Sequence, residues 1–279
     1  MSALLVHHPA RNRSATADDL PLLLVHGLGG DHRTWRPVLD RLRSRRPVIL
    51  VDLPGFGAAP ALPADVEPSP ARLATAVAEA LDAEGIDAVH AAGVSLGAWV
   101  ALELGLAGRA RSVVGLAPAG FWRRPLDPSR GTARRVGRIV RPALGPLLRV
   151  PTVRKRVLGG AMGGMTGVAY ADARALVGAY VASPDFARVD AAMRARTFGA
   201  PERLAELVAT VPVDLVWCGR DPLVRRPKVA LPDAVRQHEL PQAGHMPMFD
   251  APDRVAEILL GAAAEAEPSD DDRRPTRVA

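Results

Sequence analysis

The chain is almost without cysteine: among its 279 residues there is one, Cys218. A single thiol excludes an intrachain disulfide, and with it the stapled scaffolds of small secreted domains. A catalytic thiol would need a base and an electropositive surrounding. Cys218 instead ends Val213-Asp-Leu-Val-Trp-Cys218, a run that reads as a buried strand. Long apolar runs are also missing. None reaches the ~20 residues needed to cross a bilayer, and the N-terminus lacks the apolar middle of a secretory signal. The expected location is therefore cytoplasmic. No zinc-ligand spacing, RNA-binding aromatic signature or helix-turn-helix pattern stands out, so a nucleic-acid partner is not expected. No internal repeat is visible.

What is present can bury a sizeable core, since 48% of the residues are hydrophobic. The length suits one large α/β domain with an insertion, or two small domains. The formal charge is +6. Almost all the cations are arginine, and they concentrate between Arg123 and Arg156, where Asp127 is the only acid. A solvated, arginine-coated helical face is the simpler reading. Contact with an anionic membrane is the functional one.

Short apolar runs alternate with helical patterns, which predicts a mostly parallel sheet with helices on both faces. The runs cover residues 20–25, 46–51, 87–92, 112–116, 213–217 and 234–240, and each ends in a turn rich in Gly or Pro. Helical spacing fills residues 71–83, 98–107 and 252–264, the last with Asp250 as expected N-cap and Asp253 in its first turn. From residue 118 to about 209 the rhythm changes to Ala, Arg, Leu and Gly at helical spacing, which predicts a helical cap. The expected division is residues 1–117 and 210–266 as the core, 118–209 as the cap and 267–279 as a disordered tail. Within the cap, residues 158–167 read as a flexible glycine-rich loop. They lack the Lys-Ser/Thr ending of a phosphate loop.

The residues with chemistry follow the strands, on the edge where open α/β sheets bind ligands. Gly93-Val-Ser95-Leu-Gly97 lies between a strand and a helix. Such a turn crowds the backbone, so the positions two before and two after the serine must be nearly free of side chain. The turn would lift the Ser95 hydroxyl above the sheet. A serine hydroxyl needs a base. Of seven histidines, His245 is the best placed, in a loop after the last strand with Gly244 before it. His7 and His8 lie near the N-terminus, His32 in a polar loop, and His90 and His238 within strands. A carboxylate should orient the base. Asp221, just after the preceding strand, is the first choice. Asp214 begins that strand at the wrong edge, and Asp127 is a weaker alternative. Backbone N–H groups of Leu96 and Leu28 would form the oxyanion hole, with His26 shaping the second of these loops. Asp52 reads as part of a structural turn. Trp122 and Met246 are candidates for lining a substrate pocket, and the other tryptophans read as core. No residues call for a metal.

Together His26-Gly-Leu-Gly-Gly30, Asp52-Leu-Pro-Gly-Phe-Gly57, Gly-Val-Ser95-Leu-Gly97, Gly-Arg-Asp221 and Gly-His245 resemble the α/β-hydrolase superfamily, over residues 20–118 and 211–261. The resemblance implies that fold and a cofactor-free serine hydrolase, esterase-like, working through an acyl-enzyme on Ser95. Haloalkane dehalogenases and epoxide hydrolases share the fold but use an Asp nucleophile, and Ser95 argues against both. Carbon–carbon hydrolases of the superfamily often carry Trp after the histidine, where Met246 stands here. The family's N-terminal hairpin is not visible before Leu20. The expected partner is a small, largely apolar substrate. Acyl transfer, carbon–carbon cleavage and a non-catalytic binding role are the alternatives, and the sequence assigns no oligomeric state.

Overall fold

The computed structural model describes residues 3–11, 20–127, 139, 145–165, 167–228 and 230–267. Seven strands form one sheet: β1 (Leu5–His8), β2 (Leu22–Val25), β3 (Val48–Val51), β4 (Val89–Val94), β5 (Ala110–Leu116), β6 (Val213–Cys218) and β7 (Arg236–Leu240). Their order is β1-β3-β2-β4-β5-β6-β7. Only β1 runs antiparallel, pairing Leu5 with Val51 and His8 with Val48. This strand lies before Leu20, where the sequence shows no hairpin of the family. Four residues with two histidines carry no strand signal of their own, and pairing with β3 supplies it.

The short apolar runs become strands because both faces of the sheet are covered. Successive side chains point to opposite faces. Leu23 and Val25 join one core with Ile49 and Val51, while Leu22 and Leu24 join a second core with Val48 and Leu50. The first core is closed by α2 (Pro70–Asp82) and α3 (Leu96–Leu106), the second by α1 (Arg36–Arg43) and the C-terminal helix Pro252–Glu265. Helix α3 is apolar all round, and every residue from Leu96 to Gly105 is buried. Its one charge, Glu103, accepts from Trp99 Nε1 at 2.9 Å and takes a bidentate pair from Arg203 at 2.7 and 2.8 Å. A buried carboxylate requires such partners.

Between β5 and β6 lie α4 (Pro151–Met162), α5 (Tyr170–Ala182), α6 (Phe186–Arg194) and α7 (Glu202–Val208). No strand interrupts them among the described residues. Much of the arginine-rich stretch, residues 128–138 and 140–144, lies outside those residues. The segment expected as a glycine-rich loop is different in part. Leu158 to Met162 complete α4, and Gly163 and Gly164 form a packed turn at positive φ. After β7 come α8 (Pro247–Asp250) and α9 (Pro252–Glu265). Ala251, not Asp250, occupies the N-cap of α9, while Asp253 lies in its first turn. The Asp250 carboxylate is committed elsewhere. Of the expected tail, Glu267 is described and pairs with Arg46 at 2.6 and 2.7 Å. The remaining twelve positions, 268–279, lie outside the described residues. Among the described residues no helix is long and apolar enough to cross a membrane.

Candidate active site

Ser95 sits between β4 and α3 with φ 56° and ψ −117°. A non-glycine residue there is strained, typically by about 1–3 kcal/mol, so the surroundings must hold it. They do so through the backbone. The Ser95 N–H donates to the Leu116 carbonyl at 2.9 Å, and the Ser95 carbonyl accepts from Ala98 and Ala119 at 3.1 Å. The flanking glycines have the cause expected from crowding. A Cβ on Gly93 would collide with the Gly97 carbonyl group, and one on Gly97 with the carbonyls of Val25 and His26.

Five residues bring in a second loop. Gly27 approaches the elbow so closely that an added Cβ would lie 3.2 Å from the Val94 carbonyl oxygen and 3.3 Å from Ser95 Cβ. The turn closes by a bond from the Gly30 N–H to the Gly27 carbonyl at 3.0 Å. His26 fixes it from below. Its Nε2 accepts from the Leu53 N–H at 3.0 Å, so Nδ1 carries the proton and donates to the Gly27 carbonyl at 2.8 Å. Burial lowers the pKa of His26, which favours this neutral form. The ring is fully buried and has both nitrogens engaged, as its shaping role requires. The N–H groups of Leu28 and Leu96 enter none of the backbone hydrogen bonds among the described residues. Leu96 directly follows Ser95 as the first residue of α3, and Leu28 follows Gly27, whose added Cβ would touch Ser95.

The base and its carboxylate meet after β6 and β7. His245 Nδ1 and Asp221 Oδ2 are 2.7 Å apart, and both side chains are buried. Asp221 Oδ1 accepts from the N–H groups of Leu223 and Val224 at 2.7 and 3.0 Å. An ionised carboxylate only accepts, so Nδ1 holds the ring proton and Nε2 presents a lone pair. No hydrogen bond joins the Ser95 hydroxyl to this ring in the structure; such contacts often tighten only when substrate is bound. Among the described residues no group of three His, Cys, Asp or Glu side chains could hold a metal. Cys218 is a poor nucleophile here, because burial, helped by Asp221 and Asp250, pushes its thiol up to about 12.

Asp214 is paired with Arg236 and His238 at the start of β6. Asp127 is exposed, and its carbonyl lies beside Arg194. Met246 is buried in the second core, and Trp122 is half-buried, edge-on to Trp99, with its N–H donating to the Arg196 carbonyl at 2.6 Å. Over the Leu28–Gly29 turn lie two aromatics not foreseen from sequence. A Cβ on Gly29 would meet Tyr180 Cδ2 at 2.8 Å and Phe186 Cε2 at 3.0 Å. A cleft of about 340 Å³ between Arg226, Pro227, Lys228, Ala230, Leu231 and Gln237 contains none of the candidate residues.

Asp52 holds the neighbouring turn. Its carboxylate accepts from the His32 N–H at 2.7 Å, from His32 Nδ1 at 3.1 Å and from the Ala58 N–H at 2.9 Å. Burial alone would raise its pKa, but the bonds from His32 and Ala58 outweigh that and hold it below the usual range. The same bond raises His32 against the opposing effect of burial. His32 thus lies in a short 3-10 turn, His32–Trp35, not in a free polar loop. A lowered Asp pKa adds stability above about pH 4, and a raised His pKa adds stability below about pH 6.5 and loses it as pH rises through the folded value. Replacing His32 with Ala is therefore expected to destabilise most between these limits. Urea melts at pH 5.5 and 8.5 should show the larger gap from the parent at the lower pH; a larger gap at the higher pH would contradict the pairing.

The family model described as "Alpha/beta hydrolase family" matches residues 22–258. An epoxide hydrolase of Mycobacterium tuberculosis is 32% identical over 219 residues, which is 72% of this chain and 97% of that protein. A biotin biosynthesis bifunctional protein of Cellvibrio japonicus is 48% identical over 83 residues, but the match spans only 30% of this chain and 15% of that protein. A thermophilic esterase from Thermogutta terrifontis superposes with a TM-score of 0.67 at 20% identity, covering 95% of this chain and 94% of the other. That likeness concerns the fold.

Proposed function

The chain belongs to the alpha/beta hydrolase family, and from that premise we propose that this enzyme is a serine hydrolase that cleaves a carboxylic ester or a related carbonyl compound. The observation that carries the reading is one of placement. A strained serine, held by its backbone, follows β4, and a buried His245–Asp221 pair follows β7 and β6, at the same ends of parallel strands in one sheet. Ser95 Oγ attacks the carbonyl carbon as His245 Nε2 takes its proton. The Leu28 and Leu96 N–H groups stabilise the oxyanion. Collapse expels the alcohol, which takes the proton from Nε2. Water then repeats the cycle on the acyl-enzyme and releases the acid. Asp221 keeps the proton on Nδ1 and balances the charge of the imidazolium. Tyr180 and Phe186 against Gly29 favour a small, largely apolar substrate, with residues 118–209 as its cap.

The name of the Mycobacterium relative favours a second reading, epoxide opening. It would need a carboxylate to attack, and this chain offers Ser95 on the elbow instead. A fluorophosphonate should label Ser95 stoichiometrically and no other serine, with Ser95→Ala unlabelled. Alongside, a panel of esters, thioesters, lactones, amides, carbon–carbon cleavage substrates and epoxides should give turnover on the carbonyl compounds. Folded protein that takes no label and turns over only the epoxide would overturn the proposal.

A further inference from the structure

We infer that Asp250 is a positioning residue for His245, acting through the backbone of the turn that joins α4 to the following segment. The inference rests on the proposed role of His245 as base. Asp250 ends α8, five residues beyond His245, and its two carboxylate oxygens face different parts of the chain. Oδ2 accepts the N–H of Gly244, the residue before His245, at 2.9 Å, and Oδ1 accepts the N–H of Met165 at 2.5 Å. The same turn returns a bond to the base itself: the His245 N–H donates to the Met162 carbonyl at 2.7 Å. The loop of the base is thus held at two successive N–H groups, one by Asp250 directly and one by the turn that Asp250 anchors.

Close packing makes this a clamp on the pair rather than a loose tether. A Cβ on Gly244 would collide with the backbone of Gly163 and would lie 2.6 Å from the Met162 carbonyl oxygen. One on Gly163 would collide with the Arg220 carbonyl oxygen and lie 3.1 Å from Pro222 Cδ, next to Asp221 on either side. One on Gly164 would run into the Asp250 carboxylate. Gly163 and Gly164 both have positive φ, at 68° and 48°. The turn is therefore wedged between the loop of the acid and the loop of the base, and only glycine leaves room for both. A carboxylate suits this place because two N–H groups converge on it, and each of its oxygens accepts without a competing donor.

The test uses the full-length chain with Asp250→Ala and the milder Asp250→Asn. Circular dichroism establishes that each is folded. Two readings then follow: kcat against KM on a small ester, and the downfield proton resonance of His245 Nδ1 bonded to Asp221, recorded also in the Ser95→Ala background. Asp250→Ala is expected to lower kcat by about 10²-fold, the scale of a small misplacement of a reacting group, with KM little changed and the Nδ1 resonance lost to exchange. Asp250→Asn keeps one carbonyl acceptor and should fall between. If Asp250→Ala does not fold, the Asp250→Asn result decides. A folded variant with parental kcat and a sharp Nδ1 resonance overturns the inference. The resonance does not depend on a serine nucleophile. Its loss in Asp250→Ala, on a chain whose Ser95 takes no fluorophosphonate, would uphold the clamp and reject only the serine mechanism.

Discussion

Asp221→Asn is expected to lower turnover by about 10⁴-fold, the scale of removing the charged orienting member of a triad without changing its shape. The two side chains are nearly isosteric. An Asn carbonyl can still accept from Leu223 and Val224, which now bond to Asp221 Oδ1, so the loop should persist. What changes is the atom facing His245 Nδ1. An amide NH₂ in place of Oδ2, 2.7 Å from the ring, must donate, so Nδ1 becomes the acceptor and the proton moves to Nε2. A ring protonated there cannot take the Ser95 proton. The buried position adds to the loss, because an imidazolium formed away from water loses the carboxylate bonded to it. Steady-state kinetics on the best ester, with melting curves on the same samples, measure both halves. Near-parental turnover in a folded variant would show that Asp221 is not the working partner of His245.

Gly97→Val is expected to remove activity and to destabilise the domain by more than about 3 kcal/mol, at the upper end of overpacking substitutions. The added Cβ would collide with the Val25 and His26 carbonyl groups, and backbone atoms cannot rotate away as a flexible side chain can. Relief requires α3 to move off β2, which strains the bonds that tie Ser95 to the end of β5, from its N–H to Leu116 and from Ala119 to its carbonyl. The loop of Gly27 would shift as well, since it touches Ser95 from the other side. Against a typical total stability of about 5–15 kcal/mol, such a loss should be plain in a thermal melt, at roughly 2–4 °C per kcal/mol. Ser95→Ala leaves those backbone contacts in place and should melt close to the parent. A Gly97→Val protein that melts like the parent and keeps full turnover would mean that Ser95 is not held on a constrained elbow.

Much of the candidate site was legible because its constraints are local. The serine elbow demands small residues at fixed offsets, and Gly93 and Gly97 meet each other and β2 for the steric reason read from sequence. Asp221 and His245 were chosen as polar residues in loops after apolar runs, and the structure brings them within 2.7 Å. His26 was separated from the base by its place in a turn, and both its nitrogens are occupied. Asp250 departs from its expected N-cap for the opposite reason. Its position before Pro252 suits an N-cap, but its carboxylate takes the N–H groups of Gly244 and Met165, and the second lies 85 residues away in sequence. The glycines at 163 and 164 read as slack, whereas they are needed for close approach to Arg220 and Asp250.

The α/β alternation, the strand cores and the residue types at the candidate site are legible along the chain. Each of these follows from the residue's own neighbours: alternation of side chains along a strand, apolar runs covered on both faces, and crowding at a turn. The tertiary structure decided which partners satisfy the remaining polar groups. The pairing of Leu5–His8 with β3, the bond of Asp52 to His32 and the seat of Asp250 between two loops all join segments that are distant in sequence or turned by packing. A carboxylate carries no local mark of the N–H group it will accept. That choice is made when the packed core brings donor and acceptor within hydrogen-bond reach and removes the water that would otherwise serve either of them.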